Sequence, residues 1–408
     1  MSDIYKESVK LHERLRGKTD IVNKMDVNSK EDLSLLYSPG VAEPCLEIQR
    51  NPERAYDLTI KNNTIAVITN GTAVLGLGDI GALASLPVME GKAMLFKKFA
   101  DVNAFPICID CNDSTQLIDT IRRISPVFGG INLEDIKAPE SFIVEEALQD
   151  LGIPVFHDDQ HGTAIVTLAA LINAAKVVGK PVNELKVVIN GAGAAGIAIA
   201  KLLRCFHIDS ELCVSVKQLI VADSKGAIHR FRGDLNKAKT ELIKYSNFDD
   251  IDGGIHDIIK GADVFIGVSK GGILTREDIE NMAENPIIFA MANPEPEIMP
   301  EEAFAGGAAI MGTGRSDFPN QINNVLAFPG IFKGALKARA KTISTEMKLA
   351  AAYAIANSVE NPTADMVIPS ALDTSLAQRV ADAVEKAVYD EIRLEEEIKA
   401  EEAKLDHD

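Results

Sequence analysis

Residues 186–196 read KVVINGAGAAG, and this stretch decides the fold of the chain. The apolar run before Gly191 predicts a buried β-strand, and the small residues after it predict the start of a helix. Between them stands a G-x-G-x-x-G turn, which presents free helical N–H groups to a pyrophosphate. We therefore expect dinucleotide binding at Gly191, Gly193, Ala194, Ala195 and Gly196.

The sequence on either side of this turn alternates between strand and helix patterns. A helix is expected over residues 193–205, and strands are expected over residues 186–190, 219–223, 262–268, 287–291 and 308–312. Strands separated by helices indicate a doubly wound parallel sheet, so the fold class is α/β. We assign residues 156–408 to this Rossmann domain, which ends in helices from about residue 341.

Asp223 ends the predicted strand that follows the glycine turn, where an acidic residue binds a ribose 2′-hydroxyl. The gap from Gly196 exceeds the usual spacing of roughly 20 residues, and an insertion over residues 209–217 accounts for it. A carboxylate repels a 2′-phosphate, so Asp223 favours NAD. Ser224 and Lys225 follow directly and are able to bind a phosphate, which leaves NADP open.

The first 155 residues predict a separate α/β substrate domain. Strands are expected over residues 64–69 and 105–110, and helices over residues 2–16, 87–99 and 141–151. A short strand over 153–156 precedes a nearly all-apolar helix over 163–178. Such a helix is buried between layers, and we expect it to hinge the two domains.

A second G-x-G-x-x-G turn runs from Gly76 to Gly81. It places Asp79 inside the turn, where a carboxylate would repel a pyrophosphate. We interpret it as a tight backbone turn that helps to shape a substrate pocket.

Two acidic pairs indicate the chemistry: Asp158-Asp159 in a strand-to-helix turn, and Glu134-Asp135 upstream. Charged groups beside so much apolar sequence are costly unless something binds them. Glu134, Asp135 and Asp159 supply hard oxygen ligands, which suit Mg²⁺ or Mn²⁺. Helix-capping acids on exposed loops are the alternative for either pair alone.

Lys92 lies on the apolar side of a predicted helix, whereas Lys97 and Lys98 are on its exposed side. A lysine near a divalent cation and away from water has a lowered pKa and acts as a general base. A snorkelling surface lysine is the alternative. Tyr37 lies in a Pro/Gly turn, and its hydroxyl is either a proton donor or a structural group.

Two pairs of residues have spacings found in zinc sites, but neither pair is interpreted as a zinc site. His157 and His161 have the spacing of a zinc-protease motif, but Asp158 replaces the required glutamate and the segment is predicted as a turn. Cys108 and Cys111 form a lone C-x-x-C beside strand-forming residues, with no second pair to complete a zinc site.

The bulk composition excludes some partners. A net charge of −18 argues against nucleic acid, which needs a basic face. No uninterrupted apolar run approaches the roughly 18 residues of a membrane span, so no membrane partner is expected. Five cysteines in a chain that starts without an apolar signal segment indicate reduced thiols and a cytoplasmic location.

The chain resembles the malic enzymes of the short prokaryotic type. The matching pieces run in the family's order from about residue 10 to about residue 340 and are highly specific together. They are Tyr37-Ser38-Pro39-Gly40-Val41-Ala42, Gly76 to Gly81, Gly91-Lys92, Leu133-Glu134-Asp135, Phe156 to Ala164, Gly191 to Gly196, Ala292-Asn293-Pro294, Asn323-Asn324-Val325 and Phe328-Pro329-Gly330.

The resemblance implies oxidative decarboxylation of L-malate to pyruvate and CO₂, with NAD or NADP reduced and a divalent metal required. It also implies decarboxylation of oxaloacetate. In that family the lysine matching Lys92 is the general base and the tyrosine matching Tyr37 is the general acid. The family's metal ligands match Glu134, Asp135 and Asp159.

The resemblance assigns further residues to the site. Asn293 and Asn324 match asparagines that contact substrate, with Asn293 also at the cofactor, and Asp158 matches an aspartate close by. Larger members hold a substrate carboxylate with an arginine just before the first glycine turn, where this chain has Ala73. Carboxylate recognition is therefore expected from the asparagines, the metal and backbone N–H groups.

The resemblance further implies a homodimer. Within enzymes, the alternatives are a related 2-hydroxy acid as substrate or a malolactic reaction that converts malate to lactate. An NAD-sensing regulatory protein is the non-enzymatic alternative, although such a protein has no physical need for Tyr37, Lys92 and the three acidic ligands together.

Overall fold

Two β-sheets form the framework of the computed structural model, which describes residues 2–74, 76–205 and 213–405. The strands of the first sheet are β1 (Thr64–Thr69), β2 (Asn103–Cys108), β3 (Gly130–Leu133) and β4 (Val155–His157). All pair in parallel, in the order β2-β1-β3-β4. No strand is predicted over β3, because Gly130 and Asn132 interrupt its short apolar run.

The second sheet has the predicted parallel, doubly wound order. Its strands are β5 (Lys186–Asn190), β6 (Gln218–Asp223), β7 (Gly226–Ala227), β8 (Val264–Gly267), β9 (Ile287–Ala290) and β10 (Ile310–Thr313). They are ordered β10-β9-β8-β5-β6-β7, and only the short edge strand β7 is antiparallel to its neighbour. The predicted fold class is confirmed. The ends of the five predicted strands differ from the observed ones by at most two residues, and β7 was not predicted.

Helices surround both sheets. Those before the second sheet are α1 (Ser2–Leu15), α2 (Lys30–Leu36), α3 (Ala42–Arg50), α4 (Ala55–Leu58), α5 (Ala82–Leu95), α6 (Ser114–Ile124), α7 (Glu140–Ala147) and α8 (Asp158–Val178). Those that follow are α9 (Ala194–Leu203), α10 (Lys237–Leu242), α11 (Ile255–Ile258), α12 (Arg276–Glu280), α13 (Pro300–Ala305), α14 (Phe328–Lys337), α15 (Thr345–Asn357) and α16 (Leu376–Leu405).

Two predicted helix starts are wrong, and both errors concern the site. Helix α5 begins at Ala82 and carries Pro87 inside it, so Lys92 lies in its last turn rather than near its middle. Helix α8 begins at Asp158, so the acidic pair forms its first turn instead of a separate turn. Carboxylates are favoured there because they interact with the positive end of the helix dipole.

Helix α8 is the central element of the largest apolar core. Ile165 and Leu171 are fully buried in one cluster with Val67 of the first sheet and Ile189 of the second. Among the described helices, α8 alone is long and apolar enough to cross a membrane, but 72% of its most apolar window is buried inside the protein. It is therefore the core helix that the sequence predicts between the layers.

The expectation of five reduced thiols is wrong for one pair. Cys205 and Cys213 form a disulfide, with Cα atoms 5.8 Å apart, a separation that suits such a bond. The pair encloses residues 206–212, so much of the predicted insertion over 209–217 lies outside the described residues. Cys45, Cys108 and Cys111 are free.

The predicted division at residues 155 and 156 falls inside β4, whose residues pair with β3 of the first sheet. The first sheet therefore runs to His157, directly before α8. The two-domain division itself stays a prediction.

Candidate active site

Lys92 is enclosed by side chains from three parts of the chain, two of which carry acidic groups. Its Nζ lies 2.5 Å from Asp158 Oδ2 in α8 and 3.0 Å from Glu134 Oε1, which follows β3. On its other side the Nζ lies 4.4 Å from the centroid of the Phe328 ring at the start of α14. Only 13% of the lysine side chain is exposed, so it is not a surface lysine.

Glu134, Asp135 and Asp159 come together beside this lysine. Each offers one carboxylate oxygen, and these three atoms lie within 4.8 Å of one another. No other metal-binding group of this kind occurs in the part of the chain that the structure describes. The structure thus brings together the predicted ligands and leaves out His157, His161, Cys108 and Cys111.

The backbone at Asp135 is shaped for this cluster. Its φ of +52° lies in the left-handed region, which is uncommon for a residue other than glycine. In this conformation the Asp135 N–H donates to Asp159 Oδ2 at 2.8 Å, which ties the end of β3 to α8. Strained backbone of this kind concentrates at functional sites.

Burial dominates the protonation of the cluster. It raises the pKa of Glu134 and Asp158, and it raises the pKa of Asp135 to about 8 with help from the neighbouring Asp159 charge. Burial also lowers the pKa of Lys92, but the charges of Asp158, Glu134 and Asp159 outweigh it and leave that pKa above its ordinary value. The lowered lysine pKa that the sequence predicts beside a bound divalent cation stays a prediction.

Gly162 provides the room for Asp158. A Cβ atom at Gly162 would lie 1.8 Å from Asp158 Oδ1 and 3.1 Å from the Cβ of Asn324. A side chain there would push Asp158 away from Lys92. Helix α8 therefore needs glycine one turn after its first residue, and Asn324 lies against the same place.

The first glycine turn lies against Asn293, as expected of a turn that shapes a pocket. A Cβ atom at Gly76 would be 2.7 Å from Asn293 O, and one at Gly314 would be 2.7 Å from Asn293 Nδ2. Ala73, in the same turn region, donates its N–H to Asp135 O at 3.0 Å. At Ala73, where an arginine is expected in larger family members, the backbone N–H is thus bonded to Asp135.

The second glycine turn has the geometry of a dinucleotide loop. Gly191 has φ +129°, and a Cβ atom there would be 2.7 Å from Val268 O. A Cβ atom at Gly196 would be 1.7 Å from Gly191 O, so the helix and the turn pack too closely for a side chain. A Cβ atom at Gly193, at the start of α9, would meet nothing within 4 Å. That open side gives a pyrophosphate access to the N–H groups of Ala194, Ala195 and Gly196.

Two glutamates with little exposed surface near the site could not be singled out from the sequence. Glu145 of α7 accepts hydrogen bonds from His157 N and Gln160 Nε2, both at 3.0 Å, and lies 2.9 Å from His161 Nε2. Glu297 is fully buried and accepts from the N–H groups of Ala292 and Ser269, beyond the ends of β9 and β8. Neither belongs to a recognisable motif, and their partners lie 5 to 28 residues away in the sequence.

Tyr37 is not brought into the cluster. It follows α2, its side chain is 68% exposed, and no described residue forms a hydrogen bond with its hydroxyl. Lys92, the predicted base, is by contrast almost enclosed.

A dinucleotide-type sheet and a buried lysine in contact with carboxylates define the class as a dehydrogenase. The family model for the malic enzyme N-terminal domain matches residues 16–149, and that for the malic enzyme NAD binding domain matches residues 160–389. The chain belongs to the malic enzyme family. The predicted family and the predicted class of NAD(P)-dependent decarboxylating oxidoreductase are confirmed.

Individual relatives agree with this assignment. The chain is 55% identical over 388 residues to the bifunctional malic/malolactic enzyme of Bacillus subtilis, covering 94% of this chain and 93% of the relative. It is 53% identical over 376 residues to the NAD-dependent malic enzyme of Geobacillus stearothermophilus, covering 91% and 77%. Some relatives at 46–48% identity are named NADP-dependent malic enzymes. The crystal structure of the NAD-dependent malic enzyme of Thermotoga maritima matches with a TM-score of 0.88 at 46% identity, covering 92% of this chain and 98% of that one.

Proposed function

We propose that this chain oxidises L-malate to pyruvate and CO₂ with NAD or NADP as the hydride acceptor, in a reaction that requires Mg²⁺ or Mn²⁺. The observation that carries the proposal is the contact of Lys92 with Asp158 and Glu134, directly beside the three oxygen ligands. A group that can accept a proton therefore lies next to a site that can bind a cation, and this arrangement suits the oxidation of an α-hydroxy acid.

The donor set suits a hard divalent cation. Four carboxylates surround one ammonium group, and Asp135 Oδ2 is buried without a hydrogen-bond partner. That much buried negative charge is costly unless a cation offsets it. When bound by Glu134, Asp135 and Asp159, the cation supplies Lewis acidity to the oxygen at C2 of the substrate.

Lys92 takes the hydroxyl proton of malate in this proposal. Asp158 holds the Nζ in place, and Phe328 covers its other side. To accept a proton the lysine must be neutral, but the negative charges of its acidic neighbours stabilise its protonated form. A bound cation offsets those charges, so Lys92 can act as a base more readily when the metal site is occupied.

In this proposal the rest of the reactants bind beside Asn293 and Asn324. The first glycine turn meets Asn293 there, and Asn324 lies beside Gly162 and Asp158. Amide groups and backbone N–H groups are suited to orient the substrate carboxylates. The nicotinamide, when bound, supplies the redox chemistry.

We also propose a homodimer in which the partner copy supplies Tyr37. The described N-terminal residues form an unusually apolar exposed surface, and α2, α3 and α4 contain no buried residue. Its large exposed side chains include Ile4, Tyr5, Val9, Ile21, Val22, Leu35, Leu36 and Tyr37. A patch of this kind is typical of an interface. A second copy would cover it and carry the tyrosine to the Lys92 cluster as the acid that protonates C3.

The cytoplasmic location stays a prediction.

The test is turnover of L-malate with Mn²⁺ and each nicotinamide cofactor, followed by absorbance of the reduced cofactor and by NMR of the products. Pyruvate and reduced cofactor in equal amounts are expected. Lactate without reduced cofactor would instead support the malolactic alternative. A related 2-hydroxy acid that outcompetes malate would replace the substrate assignment.

A further inference from the structure

His157 joins the first sheet to the helix that carries Asp159. It is the last residue of β4, pairs in register with Leu133 of β3 and directly precedes α8. Its backbone N–H donates to Glu145 Oε1 at 3.0 Å. Its side chain is fully buried, with 0% exposure, and forms no cap hydrogen bond with α8. The main-chain contact therefore leaves the imidazole ring unexplained.

The imidazole ring of His157 has no hydrogen-bond partner. Neither Nδ1 nor Nε2 forms a hydrogen bond with any described residue, and both atoms are buried. His161, one turn further along α8, differs because its Nε2 lies 2.9 Å from Glu145 Oε1. Buried polar atoms are nearly always hydrogen-bonded, and an unpaired one is costly. A buried ring with two unpaired nitrogens therefore indicates a partner that engages in another state of the site.

The ring faces a candidate metal ligand. His157 Nε2 lies 3.7 Å from Asp159 Oδ2, which is about 0.5–1 Å beyond hydrogen-bond distance. The same Oδ2 accepts the Asp135 N–H at 2.8 Å. The Asp159 side chain is 35% exposed, so it is less tightly enclosed than the histidine behind it. One oxygen of Asp159 thus faces two nitrogen atoms of the protein, which leaves Oδ1 for a cation.

We propose that His157 is a positioning residue for the metal site, whose Nε2–H donates to Asp159 Oδ2 when a divalent cation is bound and holds that carboxylate in its ligating orientation. This role rests on the proposed function, because it requires a bound cation. A metal ligand must keep one orientation, and a carboxylate that accepts two N–H groups keeps both its orientation and its charge. Partners behind a ligand normally contribute about 10- to 100-fold to metal affinity.

Titration with Mn²⁺ in the absence of substrate and cofactor tests the role of the ring. His157→Asn removes Nε2 and is expected to bind Mn²⁺ about 10- to 100-fold more weakly. His157→Gln places an amide N–H group near the position of Nε2 and is expected to keep most of the affinity. Both variants lose the ring, so a packing defect alone would weaken them equally. Calorimetry gives the affinities, and denaturant unfolding shows whether each variant is folded.

His229→Asn is the matched control. His229 is 8% exposed and its Nε2 lies 3.4 Å from Asp252 Oδ1, but it follows β7 of the second sheet. Its replacement should leave the affinity for Mn²⁺ unchanged. Unaltered affinity in His157→Asn would overturn the proposed role, and so would equal losses in His157→Asn and His157→Gln. If the unaltered protein bound no Mn²⁺, the metal site and the role of His157 would both be wrong.

Nitrogen NMR of the unaltered protein, labelled at histidine, tests the hydrogen bond without any substitution. Saturating Mg²⁺ should shift the His157 Nε2–H signal and slow the exchange of its proton with water, whereas the His229 signal should stay in place. An unchanged His157 signal would contradict the contact with Asp159. Failure to turn over malate in a protein that binds Mn²⁺ would refute the proposed function alone, because neither binding experiment contains malate.

Discussion

Lys92 and Asp158 are joined by the shortest ionic contact of the candidate site, 2.5 Å between Nζ and Oδ2. They come from different domains of the predicted division, since Lys92 lies in α5 and Asp158 begins α8. The candidate base is thus held in place by the helix that also carries the candidate metal ligand Asp159. Movement of α8 relative to the first sheet would alter both groups at once.

Replacement of Lys92 by alanine is expected to lower kcat by about 10²- to 10⁴-fold, the usual contribution of a general base. Binding of adenine nucleotides should be unchanged, because the glycine turn is not touched. Steady-state kinetics with Mn²⁺ and a nucleotide titration would measure the two effects. Lys97→Ala, on the exposed turn after α5, is the control and should retain turnover. An active Lys92→Ala protein would disprove the role of this lysine.

Removal of divalent cations should abolish turnover, and Mn²⁺ should restore it. Asp159→Asn removes one ligand charge and is expected to weaken Mn²⁺ binding by about tenfold or more. Mn²⁺ should also raise the melting temperature of the unaltered protein more than that of the variant, because the cation binds the folded state. Activity that persists after thorough chelation would contradict the metal site.

Gly162→Ala is expected to inactivate the protein and to destabilise it by about 1–3 kcal/mol, the usual cost of overpacking. Its Cβ would meet Asp158 Oδ1 at 1.8 Å and displace that carboxylate from Lys92. Gly233→Ala is the matched control, because a Cβ there meets nothing within 4 Å. Kinetics and denaturant unfolding of both variants give the comparison. Normal turnover in Gly162→Ala would show that Asp158 need not stay in place.

Glu297 should make stability depend on pH. Burial raises its pKa to about 7, although the N–H groups of Ala292 and Ser269 favour the charged form. A raised pKa in the folded state means a stabilising contribution that is present below pH ~4.5 and is lost as the pH rises towards ~7. From pH ~4.5 to ~7, Glu297→Gln should gain about 3 kcal/mol in free energy of unfolding relative to the unaltered protein. Parallel pH profiles of the two proteins would refute this.

Mixed dimers decide whether Tyr37 acts across the interface. Tyr37→Phe and Lys92→Ala chains are each expected to be inactive alone. Co-expression should restore about a quarter of the activity, because half of randomly paired dimers are mixed and each then has one intact site. If Tyr37 acted within its own chain, every site in the mixed dimer would lack one group and no activity would return. That result would disprove supply from the partner.

The local sequence was sufficient to predict the second sheet. Each of its main strands is a short apolar run bounded by polar or glycine residues, and the glycine turn stands directly after β5. Strand β3 and the start of α5 were harder to predict. Asn132 interrupts the apolar run of β3, yet its side-chain amide donates a hydrogen bond to Glu134 Oε1 at 2.7 Å. Pro87 lies inside α5, which continues through it. Such compensation depends on neighbours that are not adjacent in sequence.

The sequence by itself determined the fold class, the family and the residue types of the site, because these depend on periodicity and on motifs within short stretches. Only the tertiary structure showed which charged groups contact Lys92 and Asp223. Charge effects depend on distance in space, and burial decides their strength. Asp158 comes from a helix 66 residues away from Lys92, and Lys239 lies 16 residues beyond Asp223. No spacing rule in the sequence reveals that these groups form ion pairs with one another.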